Sequence, residues 1–283
     1  IQIQLYDIKK ENYMNTNTIK ERKSVRTYNK ENIEQDVMDK IENFVSKIEN
    51  PFNVPIEFKI LNAVREKLSS PVIIGADTYI AAKYKNSENS EVAFGYAFEK
   101  AVLYATSLGL GTVWLAATMD RKAFEKAIEL KKDEVMPSVT PIGYAADKPS
   151  IRENLMRTGM KSDTRLPFEK IFYKGDFSQP LHEKEADIWF VPLEMVRLSP
   201  SATNKQPWRV VIDGNKVHFY EKKTRGYANK NTGDIQKVDL GIAICHFEIA
   251  VQELGLKGKF VQHNPEISLP EDTEYIVTYE MEV

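Results

Sequence analysis

Two stretches of the chain share one pattern: residues 95–110 read GYAFEKAVLYATSLGL, and residues 241–256 read GIAICHFEIAVQELGL. They lie 146 positions apart, and each runs from Gly-x-Ala to Leu-Gly-Leu with apolar residues at helical spacing between. The glycine near each end accepts the left-handed conformation in which helices commonly terminate. The pattern predicts two long helices at corresponding places in the two halves of an internally duplicated chain. Coincidence between two ordinary amphipathic helices is the alternative.

Shorter helix and strand patterns surround the two long helices. Apolar periodicity and the placement of proline predict helices over residues 33–48, 122–130 and 192–198. Alternating or short apolar runs predict strands over residues 56–61, 71–74, 113–116, 138–144, 208–212, 216–220 and 275–280. Asp213-Gly214-Asn215 predicts a hairpin, because Asp-Gly favours the tight primed turn. Strands that alternate with helices and have antiparallel edges indicate a layered α+β domain.

The composition is that of a protein with an ordinary apolar core. The 283 residues are 42% hydrophobic and 28% charged, close to the averages for globular domains. The lone cysteine, Cys245, excludes an internal disulfide or a multi-cysteine metal site, and we expect it in the core. The four histidines lack the spacing of metal ligands, so structural roles are expected for them.

The charge balance and the apolar runs narrow the class of function. A net charge of −2 excludes the strong basic excess of a nucleic-acid binder. No apolar run reaches the length of about 18 residues that a membrane helix needs, and no signal-peptide pattern opens the chain. We therefore expect a cytoplasmic protein that acts on small molecules. Residues 1–13 fit either an edge strand or an extension before a natural start at Met14, and residues 1–17 are expected to form an N-terminal tail.

Common catalytic and nucleotide-binding motifs are missing. Gly109-Leu110-Gly111 does not fit the dinucleotide fingerprint, because it follows a predicted helix and the third glycine position holds Trp114. The chain also lacks the GxxxxGK, HExxH, CxxC and GxSxG motifs.

One short basic segment has the spacing of an anion site. Arg22, Ser24 and Arg26 lie two residues apart, so their side chains share one side of an extended chain. Two guanidinium groups and a hydroxyl can converge there on a phosphate ester through charge-assisted hydrogen bonds. A solvated basic stretch is the alternative.

A second segment, residues 200–208 (PSATNKQPW), is rich in turn-forming residues between a predicted helix and a predicted strand. Asn204 and Gln206 offer uncharged amides, while Ser201 and Ala202 are small enough to let the backbone approach a flat ligand. The segment therefore fits the edge of a neutral aromatic ring. A tight capped turn with no ligand is the alternative.

Both segments resemble signature segments of the FMN-dependent nitroreductase family. So do residues 95–117, and residues 164–169 (TRLPFE) resemble the family's C-terminal segment, whose arginine also reaches the FMN phosphate. In ordinary members the Pro-Ser-x-x-Asn segment follows the first long helix. Here that place holds residues 50–55 (NPFNVP), and the expected segment occurs at residues 200–208 instead.

The changed order resembles that of a duplicated, single-chain subfamily. Ordinary members are homodimers in which one subunit supplies the phosphate-binding arginines and the other supplies the ring-binding loop. The resemblance therefore implies a first half over residues 18–173 with the phosphate end of the site, and a second half over residues 174–283 with the ring end. It implies a monomer with one FMN per chain and an inactive converse site.

The resemblance also implies a fold and an activity. The fold is an α+β nitroreductase-like sandwich, built twice, with a central, mostly antiparallel sheet flanked by helices. The activity is that of an FMN-dependent oxidoreductase that takes a hydride from NADH or NADPH and reduces an electron-poor acceptor such as a nitroaromatic or a quinone. Ala116 and Ala117 replace a glutamate and glycine of many members. A degenerate flavin-binding protein, flavin cleavage and reductive dehalogenation therefore stay open.

The resemblance carries over residue by residue to the two quoted segments. It implies FMN phosphate contacts from Arg22, Ser24, Arg26 and Arg165, with Lys23 contributing through its backbone. It implies contacts to the flavin ring from Pro200, Ser201, Ala202 and Asn204. No acid–base residue is expected, because solvent can protonate the product.

Overall fold

Two long helices lie between two sheets in the computed structural model, which describes residues 14–148, 150 and 164–282. The helices are α1 (Thr16–Glu21), α2 (Gln35–Val45), α3 (Ala63–Glu66), α4 (Ser90–Ser107), α5 (Arg121–Ala127), α6 (Phe190–Leu198) and α7 (Ile235–Glu253). The strands are β1 (Glu57–Asn62), β2 (Thr78–Lys85), β3 (Glu134–Val135), β4 (Val139–Ile142), β5 (Phe172–Lys174), β6 (Trp208–Asp213), β7 (Lys216–Lys222), β8 (Ala228–Asn229), β9 (Gly233–Asp234), β10 (Gly258–Val261) and β11 (Thr273–Met281).

Each half of the chain has its own sheet. In the first, β2 pairs antiparallel with β1, β3 and β4. The second has the order β10-β11-β7-β6-β5 and is antiparallel except for the pair β5–β6, while β8 and β9 form a separate ladder. The predicted α+β fold with mostly antiparallel strands is confirmed, and its strands are divided between the two sheets. Among the described helices, none has the length and hydropathy needed to cross a membrane.

The helices α4 and α7 pack on each other through two glycines. A Cβ on Gly95 would lie 2.0 Å from the carbonyl oxygen of Val238, and one on Gly241 would lie 2.1 Å from that of Val92. Only glycine permits backbones to approach so closely. Gly95 and Gly241 are 146 positions apart, and so are Val92 and Val238. The contact is therefore reciprocal, as it is between two-fold related subunits.

Apolar residues of both long helices complete the core of their own half. Phe94 and Phe98 of α4 are fully buried in a cluster with strand β2, and Phe247 of α7 packs against Phe219 of β7. Cys245 is fully buried, as predicted. Strand β5 contains the proposed boundary at residue 173. It pairs with β6 and so extends the second half's sheet.

Two predicted strands do not form. Residues 71–74 and 113–116 make isolated bridges, such as that of Ile74 with Thr27 and that of Leu115 with Val139. Pro71 lacks a backbone N–H for a ladder. Val113 and Leu115 are buried all the same, at 2% exposure each. Residues 113–116 are apolar because they form a buried connection between elements. Periodicity alone does not distinguish such a connection from a buried strand.

Candidate functional site

The segment that contains Arg22, Ser24 and Arg26 is fixed in an extended conformation by its neighbours. The backbone N–H of Val25 donates to the carbonyl oxygen of Thr112 at 2.9 Å, and the N–H of Ile74 donates to that of Arg26 at 2.9 Å. Val25 is buried beside residue 111, where glycine leaves it room. Because alternate residues of an extended chain point to opposite sides, the two arginines and the serine face away from Val25.

A cavity of about 290 Å³ lies on that side. Eight of the nine predicted cofactor-binding residues line it: Arg22, Ser24, Arg26, Arg165, Pro200, Ser201, Ala202 and Asn204. The ninth, Lys23, is exposed and lies outside the lining, so its backbone contribution stays a prediction. The cavity therefore brings together segments that are about 180 positions apart in sequence, as the resemblance implies.

The other lining residues are mostly apolar or small, and all but Ser138 and Thr203 come from residues 113–118 and from the first turns of α7. They are Val113, Trp114, Leu115, Ala116, Ala117, Thr118, Ser138, Thr203, Ile235, Val238, Asp239 and Ile242.

Three guanidinium groups make the cavity cationic. Arg26 is 6% exposed, and Arg22 Nε lies 3.9 Å from Glu99 Oε1. Arg165 donates hydrogen bonds to the carbonyl oxygens of Leu198 at 3.1 Å and Thr164 at 2.8 Å. The arginines are thus oriented by protein groups and retain the donor chemistry that suits an oxyanion.

The loop that carries the predicted ring contacts has an unusual backbone. Thr203, Asn204 and Gln206 have φ values of 48°, 57° and 51°, in the left-handed region that non-glycine residues seldom adopt. Each such residue costs on the order of 1 kcal/mol or more, so the surroundings must hold the conformation.

Hydrogen bonds within the loop and to residues 164–166 hold its conformation. Gln206 accepts a hydrogen bond from the N–H of Leu166 at 2.9 Å, and its own N–H donates to Ser201 Oγ at 2.9 Å. Asn204 Nδ2 donates to the carbonyl oxygen of Thr164 at 3.1 Å. Gln206 is buried and lies outside the cavity lining, so its amide supports the loop instead of facing a ligand as the sequence suggested.

Asp239 of α7 anchors the same loop, and the sequence analysis missed it. Its two carboxyl oxygens each lie 3.1 Å from the N–H of Ala202, which donates to them. Burial raises the pKa of Asp239 well above its usual value, and the nearby carboxyls of Asp234 and Glu221 raise it further. The available signal in the sequence was the position of Asp239, a charged residue among the apolar residues near the start of a predicted helix.

A second group missed from the sequence is Glu99 of α4, which is fully buried. Its carboxylate accepts a hydrogen bond from Trp114 Nε1 at 2.8 Å and lies 2.9 Å from His246 Nε2. His246 Nδ1 in turn lies 3.0 Å from Ser199 Oγ, next to the loop at residues 200–208. The network connects Arg22 and Trp114 with the loop across the interface of α4 and α7. His246 thus has the structural role predicted for it.

Comparison with known proteins gives a family match over most of the chain. Residues 15–251 match the family model described as "Putative TM nitroreductase". No curated protein matches the chain. The crystal structure of a putative nitroreductase from Thermotoga maritima MSB8 is similar, with a TM-score of 0.63 and 22% identity over 95% of this chain and 94% of that one. This likeness shows the fold.

Two further solved structures match about half of the chain, each with a TM-score of 0.40. One is a putative NADH dehydrogenase/NAD(P)H nitroreductase from Bacteroides thetaiotaomicron VPI-5482, with 26% identity over 47% of this chain and 89% of that one. The other is an FMN-dependent nitroreductase from Clostridium difficile R20291, with 17% identity over 50% of this chain and 94% of that one.

Proposed function

Because the chain belongs to the TM nitroreductase family, we propose that it is an oxidoreductase that binds FMN in the cavity between its two halves. In this proposal it takes a hydride from NADH or NADPH and passes reducing equivalents to an electron-poor acceptor such as a nitroaromatic or a quinone. One observation carries the proposal. Eight residues from three separate segments, all inside the matched region 15–251, line a single cavity.

The donor set of the cavity fits FMN. Arg22, Arg26 and Arg165 suit a phosphate dianion, because each guanidinium can donate charge-assisted hydrogen bonds to its oxygens. The apolar side chains of Val238 and Ile242 suit the faces of a flat ring. When bound, the flavin supplies the capacity to accept and release a hydride.

The protein's own residues position the ligand. The three arginines hold the phosphate end, while Asp239 and Ser201 fix the backbone of the ring-binding loop. Trp114 lines the cavity with its indole N–H bound to Glu99, so its ring is held in one orientation. A rigid site of this kind lowers the free-energy cost of aligning donor and acceptor.

We further propose that the chain is a fused pseudo-dimer with halves over residues 18–173 and 174–283. The reciprocal contacts of Gly95 and Gly241 support this division. A second cavity of about 800 Å³ includes Tyr96, Lys259 and Phe260, whose positions correspond to those of Ile242, Val113 and Trp114. Its described lining contains no arginine, which supports one FMN per chain.

Reduction of the bound flavin tests the function. Purified protein loaded with FMN is expected to be yellow and to lose that colour when NADH or NADPH is added without oxygen. A protein that does not bind FMN would contradict the proposal. A yellow protein that neither nucleotide reduces would support the second candidate, a flavin-binding protein without this activity.

The second candidate is favoured by one observation. Ala116 and Ala117 line the cavity at positions where the resemblance implies glutamate and glycine. An altered ring pocket also fits flavin cleavage or reductive dehalogenation. Chromatography of the flavin after aerobic turnover identifies cleavage, because cleavage consumes FMN, whereas nitroreduction, quinone reduction and reductive dehalogenation return it intact.

A further inference from the structure

Asp239 is an acidic group in a cationic cavity. It contributes the only carboxyl side chain among the cavity-lining residues, and it is 3% exposed. The N–H of Ala202 is the one hydrogen-bond donor to its side chain within the described residues. Asp239 forms no ion pair with any of the described residues. A carboxyl with one neutral donor is poorly compensated when it is charged.

The surrounding charges favour protonation of Asp239. Asp234, the residue of β9 that caps the start of α7, and Glu221 on β7 both raise its pKa, in addition to the effect of burial. Lys223 and Lys237 face Glu221 and lower the pKa of that neighbour. The cationic groups of the cavity itself are Arg22, Arg26 and Arg165.

We propose that Asp239 takes up a proton when the flavin bound in this cavity is reduced. The inference rests on the proposed function. A hydride transferred from a reduced nicotinamide brings two electrons and one proton, so the nicotinamide is oxidised and the ring gains one negative charge. At pH values above the pKa that Asp239 has in the oxidised protein, where this carboxyl is ionised, Asp239 takes one further proton from solvent, and its carboxylate becomes a neutral carboxylic acid. The net charge of the cavity then stays constant through the reduction.

The physical reason is the low dielectric of the cavity. A second negative charge beside an ionised Asp239 would be repelled much more strongly than in water. Reduction therefore raises the affinity of Asp239 for a proton, and by linkage protonation of Asp239 favours reduction. The anchored hydrogen bond from Ala202 keeps this carboxyl at the proposed ring end of the cavity in both states.

The midpoint potential of the FMN-loaded protein tests the inference. It is measured between about pH 6 and 9 with a chemical reductant and reference dyes, independently of NADH and NADPH. Uptake of one proton with two electrons changes the equilibrium constant tenfold per pH unit, or 29.6 mV. Uptake of two protons changes it a hundredfold. For the wild type we expect a pH range in which the equilibrium constant changes a hundredfold per pH unit, called here the steep segment. This range is bounded by the pKa values of Asp239 in the oxidised and reduced states.

Two variants identify the group. Asp239→Asn keeps an oxygen to accept the N–H of Ala202 and is expected to lack the steep segment. Glu221→Gln removes the neighbouring buried carboxyl and is expected to keep the segment, moved to lower pH, because loss of a like charge lowers the pKa of Asp239. Thermal unfolding of both variants checks their fold.

Other results would overturn the inference. A wild type with a tenfold dependence throughout contradicts it without any variant, and so does a steep segment that covers the same pH range in Asp239→Asn as in the wild type. If the wild type does not bind FMN, both the inference and the proposed function fail. If it holds FMN that NADH and NADPH do not reduce, only the proposed activity fails, and the potential still tests Asp239.

Discussion

Arg22 shows how a residue in a charged, surface-like stretch of sequence comes to line a cavity. The string Arg-Lys-Ser-Val-Arg would be a solvated basic stretch, except that Val25 is buried and fixes the direction of its neighbours. Arg22 and Arg26 then point into the cavity while Lys23 is exposed. The alternation was predictable from sequence, whereas the partner that buries Val25 was not.

We expect Arg22→Ala to weaken FMN binding by about 2–4 kcal/mol, because one charge-assisted partner of the phosphate is removed. Riboflavin lacks the phosphate, so its affinity should change little. Titration of apo-protein with both flavins measures the difference. Lys20→Ala removes an exposed positive charge from α1 and serves as the control. An equal loss of affinity for riboflavin would contradict the phosphate assignment.

Glu221 gives a pH-dependent prediction for stability. Its side chain is fully buried, and neither oxygen has a hydrogen-bond partner among the described residues. Burial raises the pKa of Glu221 from 4.5 to about 7. The folded protein therefore binds this proton more tightly than the unfolded chain does, and stability is lost as the pH rises from about 4.5 through 7.

Glu221→Gln should consequently raise the free energy of unfolding by about 2–3 kcal/mol at pH 8 and change it little at pH 4. Denaturant unfolding of both proteins at the two pH values measures the effect. Glu183→Gln, an exposed carboxyl in the second half, is the matched control. A variant less stable than the wild type at pH 8 would show that the charge of Glu221 is compensated.

At the level of elements, periodicity predicted the long helices and the strands that form sheets. It found both α4 and α7, although α4 begins at Ser90, five residues before Gly95, and α7 begins at Ile235, six residues before Gly241. It failed at residues 113–116, where a buried connection is as apolar as a strand, and at residues 71–74, where only Val72 is buried. It also could not find Glu99 or Asp239, because the partners of a buried polar group lie far away in sequence.

The crossing of α4 and α7 depends on glycine at two positions. A methyl group on Gly95 or Gly241 would overlap a backbone carbonyl of the other helix. We expect Gly95→Ala and Gly241→Ala each to destabilise the protein by about 3 kcal/mol, and by similar amounts because the contacts are reciprocal. Gln252→Ala, at an exposed position of α7, is expected to change stability by less than about 0.5 kcal/mol.

Denaturant unfolding of the three variants measures these differences. The helix propensity of alanine exceeds that of glycine by about 1 kcal/mol, so an isolated helix would be stabilised by both glycine changes. Stabilisation of either variant would therefore show that the two helices do not approach so closely.

The packing between the two parts of the chain resembles a dimer interface that is contained within one chain. The first half supplies Arg22 and Arg26, and the second supplies the loop at residues 200–208 and Asp239. The two helices that make the reciprocal contact, α4 and α7, belong to the same chain. In the proposed pseudo-dimer, this cavity has a counterpart that lacks the arginines and is lined by residues such as Asn50, Pro51 and the ion pair of Lys100 with Glu248.

We therefore expect a monomer that binds one FMN. Light scattering gives the mass in solution, and the absorbance of released flavin gives the number bound per chain. The variant Arg22→Ala gives a second test of the number of sites, because in a one-site protein it lowers the affinity of every bound FMN. With two independent sites, half of the flavin would keep its original affinity, since Arg22 lines only one cavity. A titration of Arg22→Ala with two phases of equal size, or a dimer with two FMN per chain, would contradict the single-site pseudo-dimer.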